Sequence, residues 1–399
     1  MSTLKVDNIR HNNASSDAIT MASDGTCTAK LTSVGGGQLS NRNIIVNGAC
    51  LISQRGTSAT GLPANGFATV DRFRADQSGT DNYIEQHQVD VASGTTPYTL
   101  GFRKAFQIKN GNQTSGAGTS DRVIIMYRTE SQDLANSGWN YTSSSSHITF
   151  SFYVKSSVAQ NFYVNFKTYD GTGQGYAMET GSLSANTWTK VTKTIPGNSN
   201  LQFDNDANTG LEIEWTLYRG TATTGSKSLN TWAAFNSSDR IPDMDSTWYT
   251  TDDATFEITG IQLEVGDTVT SFEHLSFTDD LRRCQRYFYM HASGIFSLSN
   301  TDRCPIGLGY GYTSTDGYVF ITYPVQMRAY PSLFKVVGSN YFNFAYNNNN
   351  AYPDNLGINR LSSQVAEIYF YQNSSWDQNA SGMLRTYNTA ARLGFSAEL

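Results

Sequence analysis

The chain has 399 residues, room for two or three domains with cores of their own. Only 16% of residues are charged, and 28 Lys and Arg against 34 Asp and Glu leave a formal charge of -6, which argues against nucleic acid or an anionic membrane as a partner. With 23 Tyr, 21 Phe and 6 Trp, the sequence is far too aromatic for a disordered chain.

The opening Met1-Ser-Thr-Leu-Lys-Val-Asp-Asn lacks the apolar core of a signal peptide, and no later run approaches the roughly 20 apolar residues of a membrane-spanning helix. The expectation is a soluble protein made in a cytoplasm, with no membrane insertion. Residues 1–40 are polar and finish in Gly35-Gly36-Gly37, a flexible joint. So short a polar segment cannot bury a core alone, so it is predicted to pair with copies of itself or to dock on a larger body. Leu4, Val6, Ile9 and Ile19 are its candidate attachment contacts.

Residues 41–277 alternate apolar and polar side chains with the period of strands buried on one face. Ile148, Phe150, Phe152 and Val154 form one set; Phe162, Val164 and Phe166 form another after a short link, which predicts adjacent antiparallel strands. Leu211, Ile213, Trp215 and Leu217 point one way, and Glu212, Glu214 and Thr216 the other. Near Gly260 the apolar set changes parity, from Phe256 and Ile258 to Ile261 and Leu263, as a β-bulge would produce. The region is predicted to be an antiparallel jelly-roll sandwich in an all-β chain.

A short connector helix is predicted over 278–290, with Thr278 as N-cap, Asp279 and Asp280 in its first turn, and Leu281, Cys284 and Phe288 on one face. Arg282, Arg283 and Arg286 are read as solvated. Residues 291–399 return to Tyr-rich strands and are predicted to be a second β domain, with Asn347–Asn350 in an exposed loop. Cys27, Cys50, Cys284 and Cys304 form no CxxC pair and read as reduced, mostly buried thiols.

Catalytic constellations are scarce. Gly220 to Ser228 resembles a phosphate loop with one residue too many before Lys227, so a polar hairpin loop is the better reading. Asp204, Asp206 and Asn208 space oxygen side chains two apart, as calcium loops do, but Trp215 stands where a bidentate glutamate belongs. Calcium remains a weak candidate beside plain Asx turns, and no other cofactor is expected. Paired carboxylates occur at Asp243 and Asp245, Asp252 and Asp253, and Glu212 and Glu214, without a spacing that identifies a glycosidase; the five histidines show no HExxH. The surplus aromatics carry more information. Flat rings among amides and hydroxyls suit carbohydrate, which makes Trp139, Tyr141, Trp232, Trp248, Tyr249 and Trp376 candidates, with a core role as the alternative for each. Trp188 and Trp215, inside strand-like runs, are read as structural.

Several segments resemble tail fibres and other appendage proteins of tailed bacteriophages. Ser2–Ile9 with Ile19–Thr26 resembles their virion-attaching leader. Asn43–Gly48, Ser53-Gln-Arg-Gly56 and Asp71-Arg-Phe73 resemble the start of their jelly-roll domain. Gly260–Gly266, Ser271–His274, Leu281–Tyr287 and Tyr323–Ala329 resemble its end and the β segment that follows. Ser151–Lys155 and Trp188–Thr192 are similar to scaffold strands of carbohydrate-binding modules. The resemblance implies a non-enzymatic homotrimer, located on the virion, whose N-terminus joins phage tail or other virion proteins and whose β domains meet host cell-surface glycan or protein. A head fibre, decoration or tail-hub protein without a receptor role is the alternative, and a polysaccharide depolymerase a more distant one.

Overall fold

A computed structural model of the protein describes residues 6–29, 41–61, 66–294, 303–372 and 375–399; Leu4 and Gly35–Gly37 lie outside them. The alternating segments build a jelly-roll sandwich of two six-stranded sheets. In spatial order the first holds Ala233–Ala234, Gln174–Ser182, Asn161–Thr168, Thr209–Arg219, Arg122–Glu130 and Arg74–Ser78. The second holds Thr189–Pro196, His147–Ser156, Thr255–Val265, Lys104–Lys109, Glu85–Asp90 and Ser58–Ala59. Neighbouring strands in both run antiparallel.

The two segments expected side by side lie in opposite sheets. His147–Ser156 pairs with Thr189–Pro196 and Thr255–Val265, whereas Asn161–Thr168 pairs with Gln174–Ser182 and Thr209–Arg219. They meet across the core, where Phe150 and Phe166 stand edge to face with centroids 5.2 Å apart. Alternation reveals which face of a strand is buried and leaves its neighbour open. Ile148, Phe152, Val154, Phe162, Ile213, Trp215 and Leu217 complete this core, and burying each large side chain contributes about 1.5–3 kcal/mol.

The bulge forms where the parity changes: the register of Thr255–Val265 slips between Thr259 and Gln262. Gly260 sits there at φ 61°, and a Cβ would stand 2.7 Å from Cζ of Phe102. Ile258 and Ile261 consequently both reach the core.

The helix runs over Phe277–Gln285, and its N-cap is Ser276, two residues before the expected Thr278. The Ser276 hydroxyl accepts from the Asp279 amide at 3.2 Å and donates to the Asp279 carboxylate at 2.6 Å. Phe288 opens the next strand. Arg283 and Arg286 are not simply solvated: Arg283 donates to the Asn43 carbonyl at 3.1 Å, and Arg286 makes a two-pronged pair with Glu130 at 2.6 and 2.7 Å.

A three-stranded sheet, in the order Phe288–Ser293, Arg392–Ser396, Ser332–Val336, follows the helix. A seven-stranded sheet accompanies it, ordered Asn349–Ala351, Phe342–Tyr346, Ser381–Thr386, Pro305–Gly311, Asp316–Thr322, Val365–Tyr371, Asn355–Leu361. Phe342, Phe344, Ile368, Phe370, Leu384 and Phe395 form their common core. The expected loop at Asn347–Asn350 is a tight hairpin: Asn347 and Asn348 take φ of 41° and 61°, and Tyr346 pairs with Asn349. Asparagine tolerates the left-handed region that such a turn requires.

Asn43–Gly48, Ser53–Gly56, Asp71–Phe73, Leu281–Tyr287 and Arg328 meet at the junction between sandwich, helix and C-terminal sheets. The Asn47 side chain bonds the backbones of Ile52 and Asp71, and the Asn47 backbone N–H donates to Asp280 at 3.0 Å. Gln54 spans from Asp71 to Phe288 and Met290. Arg72 pairs with Glu398 at 2.5 Å and lies over the Tyr287 ring at 3.4 Å; Arg55 pairs with both Asp71 and Glu398 and lies over Phe288 at 3.4 Å. Arg328 donates to the carbonyls of Ala397, Glu398 and, across the junction, Ala207.

Near the start, Asn8–Ile9, Ile19–Met21 and Cys27–Ala29 form a small antiparallel sheet, with Val6 and Ile9 exposed and Ile19 half-buried. Cys27 is exposed, Cys50, Cys284 and Cys304 are buried, and all four are free thiols. No helix among the described residues is long and apolar enough to cross a membrane.

Candidate functional site

The six aromatic candidates belong to the interior or pack against it. Trp248 is fully buried and donates Nε1 to the Thr255 carbonyl at 3.1 Å; Tyr249 stacks on Tyr218 at 4.3 Å and donates its hydroxyl to Asp121 at 3.1 Å. Trp232 is buried against Tyr176 and donates to the Pro196 carbonyl at 2.8 Å. Trp139 is buried beside Phe203, and the half-buried Tyr141 stands edge-on to the same ring at 5.0 Å. Trp376 packs on Phe344 and Phe370 and donates to the Thr313 carbonyl at 2.8 Å. Stacking on a sugar needs an accessible ring face, so Trp139, Trp232, Trp248, Tyr249 and Trp376 are corrected to core, while Tyr141 is half-buried against it.

One further ring, Trp188, is half-buried at the edge of the second sheet, packed on the cluster of Ala49, Val91, Phe102, Ala105 and Tyr153. In Thr189–Pro196, Val191 and Ile195 enter the core, so Trp188, Lys190, Thr192 and Thr194 take the opposite parity and face outward from the second sheet. Strand register then sets a row across this face. Thr189 opposes Val154, which brings Trp188 beside Lys155; Lys155 opposes Glu257, Glu257 opposes Gln107, and Gln107 opposes His87.

Trp188 is half-buried, with the Lys155 ammonium 5.1 Å from its ring centroid. Lys155 Nζ reaches Glu257 Oε2 at 2.8 Å, and Gln107 Nε2 donates to Oε1 at 2.9 Å. The buried Glu257 carboxylate therefore fixes its two neighbours, while the Lys155 ammonium has further N–H donors and the Gln107 amide an oxygen acceptor. His87 Nε2 lies 2.9 Å from Glu85 Oε2 at the far end of the row. A flat ring followed by oriented donors and acceptors is the pattern that recognises a polyhydroxylated ring.

Beside this row is a groove of about 410 Å³, lined among others by Phe102, Tyr153, Lys190, Thr270, Phe272 and His274. The Lys190 ammonium lies 5.9 Å from the Tyr153 ring, and burial holds the Tyr153 phenol above its ordinary pKa, so it remains a neutral hydroxyl. The segment from Asp267 to Leu275 straps the rest of the face. The Thr270 amide donates to Glu264 at 2.9 Å and the Glu273 amide to Gln262 at 2.8 Å, burying Thr149, Ser151, Gln262 and Glu264 beneath.

The outer face of the first sheet is closed by ion pairs. Glu214 is held by Arg219 at 2.8 Å and Arg240 at 3.4 Å, and Glu212 by Arg128 at 2.7 Å and the Tyr169 hydroxyl at 2.8 Å. Charge partners and hydrogen bonds hold the Glu214 carboxyl below its ordinary pKa against the opposing effect of burial. Asp243 accepts from the Thr224 hydroxyl, and Asp253 pairs with Lys109.

In the proposed calcium segment, Asp206 accepts from the Asn208 amide at 3.0 Å and Asp204 accepts from Gln202 at 3.0 Å, an Asx-turn arrangement. Among the described residues no group of three His, Cys, Asp or Glu side chains is placed to hold a metal ion. Thr224–Gly225, in the loop that resembled a phosphate site, pairs in parallel with Ile241–Pro242 and forms no hairpin.

No known family pattern matches the chain, and no curated protein matches it. Among solved structures it is similar to the enzymatically active domain of tailspike protein 4 from bacteriophage CBA120, at 11% identity and TM-score 0.30, over 56% of this chain and 21% of that one. It is also similar to the N-terminal cellulose-binding domain of Cellulomonas fimi β-1,4-glucanase C, at 11% identity and TM-score 0.26, over 55% of this chain and 99% of that domain. A family 11 carbohydrate-binding module of a Clostridium thermocellum cellulosomal cellulase aligns at 13% identity and TM-score 0.24, over 55% of this chain and 99% of that module. The chain thus spans about a fifth of the tailspike chain.

Proposed function

We propose that the protein is a glycan-binding, non-enzymatic appendage of a tailed bacteriophage particle, a homotrimeric tail fibre that attaches through residues 1–40 and holds host cell-surface polysaccharide on its sandwich. One observation carries the glycan part: the half-buried row Trp188, Lys155, Glu257, Gln107, His87 on the outer face of the second sheet, with the Glu257 carboxylate buried at its centre. Trp188 stacks on a sugar ring, Lys155 and Gln107 bond its hydroxyls, and Glu257 holds both in place. The rings and aliphatic walls of the adjoining groove accept a second sugar unit, so the ligand is a chain and not a monosaccharide. The virion part rests on the leader resemblance of Ser2–Ile9 and Ile19–Thr26. Three copies give weak sites a common avidity.

The test is retention of fluorescently labelled full-length protein on a panel of bacterial cells, with and without prior removal of their surface polysaccharide. Retention that disappears with the polysaccharide supports the reading. Equal retention on stripped cells, or none on any cell, refutes it.

A further inference from the structure

The outer face of the seven-stranded C-terminal sheet carries large apolar side chains that no part of the described chain covers. Leu308 is 75% exposed, Phe320 58%, Tyr312 56%, Met383 39% and Tyr310 37%. Register makes these positions neighbours. Leu308 opposes Met383, and because Gly309 opposes Val319, it stands opposite Phe320 on its other side. One row therefore reads Met383, Leu308, Phe320, Glu367, and the next reads Ser381, Tyr310, Tyr318, Tyr369. The inward residues of the same strands, Val319, Ile321, Leu384 and Ile368, belong to the core, so the patch is a true outer face.

Taking roughly 200 Å² for each complete large side chain, these five residues leave about 500 Å² of apolar surface in water. That is as large as the largest patches monomers carry, about 300–600 Å². With an ordinary polar rim it approaches the roughly 800 Å² per partner of a stable interface.

We propose that this face is where copies of the chain meet. Its charge favours a like partner: the first row ends in Glu367 and, opposite it on the next strand, Arg360, which pairs with it at 3.8 Å; Asn359 donates to Glu367 at 2.7 Å, and the rest of the two rows is uncharged. A chain of formal charge -6 repels its own copies unless the contact carries no net charge, and here the one acid and the one base at the row's end cancel. The ring geometry disfavours a flat polysaccharide as the occupant, since Tyr310 and Tyr312 are tilted against Tyr318 by 49° and 60°. Leu308 and Met383 would moreover leave sugar hydroxyls without partners.

The inference rests on the trimeric part of the proposed function and not on the glycan. Its test is the solution mass of the full chain by light scattering after size exclusion, for wild type, Leu308→Asp with Phe320→Asp, and a control Phe277→Asp at an exposed helix position. Three chains of 43.9 kDa give about 132 kDa. The expected result is a trimer for wild type and control and a threefold drop in mass for the double variant, with circular dichroism unchanged. If the aspartates unfold the sheet, Leu308→Thr with Phe320→Thr keeps strand propensity and gives the same reading. A folded double variant at the wild-type mass overturns this surface while leaving the trimer standing. A monomeric wild type overturns both.

Discussion

Glu398→Gln tests how the two β regions are held together. Glu398 faces two guanidiniums, Arg72 at 2.5 Å and Arg55 at 3.3 Å, and Arg55 also reaches Asp71 at 3.6 Å. All four side chains are at most 5% exposed. Two positive and two negative charges balance; the amide variant leaves one positive charge over, in a site with almost no water. Arg72 can least afford the loss. It is a non-glycine residue at φ 74°, its Nε has no hydrogen-bond partner, and beyond the Tyr287 ring its remaining hydrogen bond is to the Arg128 carbonyl at 2.5 Å. Removing one partner of a buried pair costs about 3–5 kcal/mol. For a cooperative unit of 150–250 residues, where 1 kcal/mol moves the midpoint by about 2–4 °C, that is a fall of about 10 °C. Urea and thermal unfolding, followed by tryptophan fluorescence and circular dichroism, measure it. The exposed pair Lys104 and Asp90, at 2.6 Å with Asp90 81% exposed, is the control, and Asp90→Asn should cost under about 1 kcal/mol. A double variant, Arg72→Met with Glu398→Met, should recover much of the loss. If Glu398→Gln costs no more than Asp90→Asn, the network does not hold the junction and the reasoning fails.

Asp71 gives a pH prediction at the same junction. Burial pushes its carboxyl up to about 6, against the opposing pull of Arg55 and the Gln54 hydrogen bonds. A carboxyl raised above its unfolded value stabilises the fold fully below about pH 4 and loses that contribution as pH rises through about 6, so the wild-type advantage over Asp71→Asn should shrink by about 3 kcal/mol between pH 4 and 7. An advantage that is flat or grows over this range, measured by urea unfolding at each pH, refutes the assignment. Trp248→Ala, at a fully buried site, should cost about 3–5 kcal/mol in chemical unfolding. Gly260→Ala should cost about 2 kcal/mol or more, because φ 61° and the Phe102 ring both oppose a Cβ; a neutral effect would show that the bulge is not fixed.

The sandwich was legible because its core strands alternate strictly, and the bulge because Ile258 and Ile261 break parity around a glycine. Strand neighbours were less legible: Phe150 and Phe166 would alternate identically in one sheet or in two. The site was misplaced for a related reason. Trp139, Trp232, Trp248 and Trp376 stand among polar loop residues, yet each is drawn inside, and all but Trp139 are hydrogen-bonded there through tertiary contacts that no local pattern records. Trp188 was read as structural because it lies in a strand-like run, and it is in fact packed, half-buried, on an apolar cluster. Its parity against Val191 and Ile195 already placed it outside, and that was the available signal. The helix boundary slipped from Thr278 to Ser276 because both can cap, and only Ser276 bonds the Asp279 amide. The partners of Glu398 lie more than 300 positions away in the chain, beyond any spacing argument.

The central claim is that the face carrying Trp188 holds glycan. Its most direct test is binding of the full-length protein to an array of bacterial surface polysaccharides, beside Trp188→Ala and Lys155→Ala. Trp188 is half-buried against the Phe102 and Tyr153 cluster, so its loss should cost about 1–2 kcal/mol of unfolding stability, and binding is compared under conditions where every variant is shown to be folded. The expected result is selective binding by wild type that weakens tenfold or more in Trp188→Ala. Binding that is absent from every polysaccharide, or equal in wild type and both variants, contradicts the account.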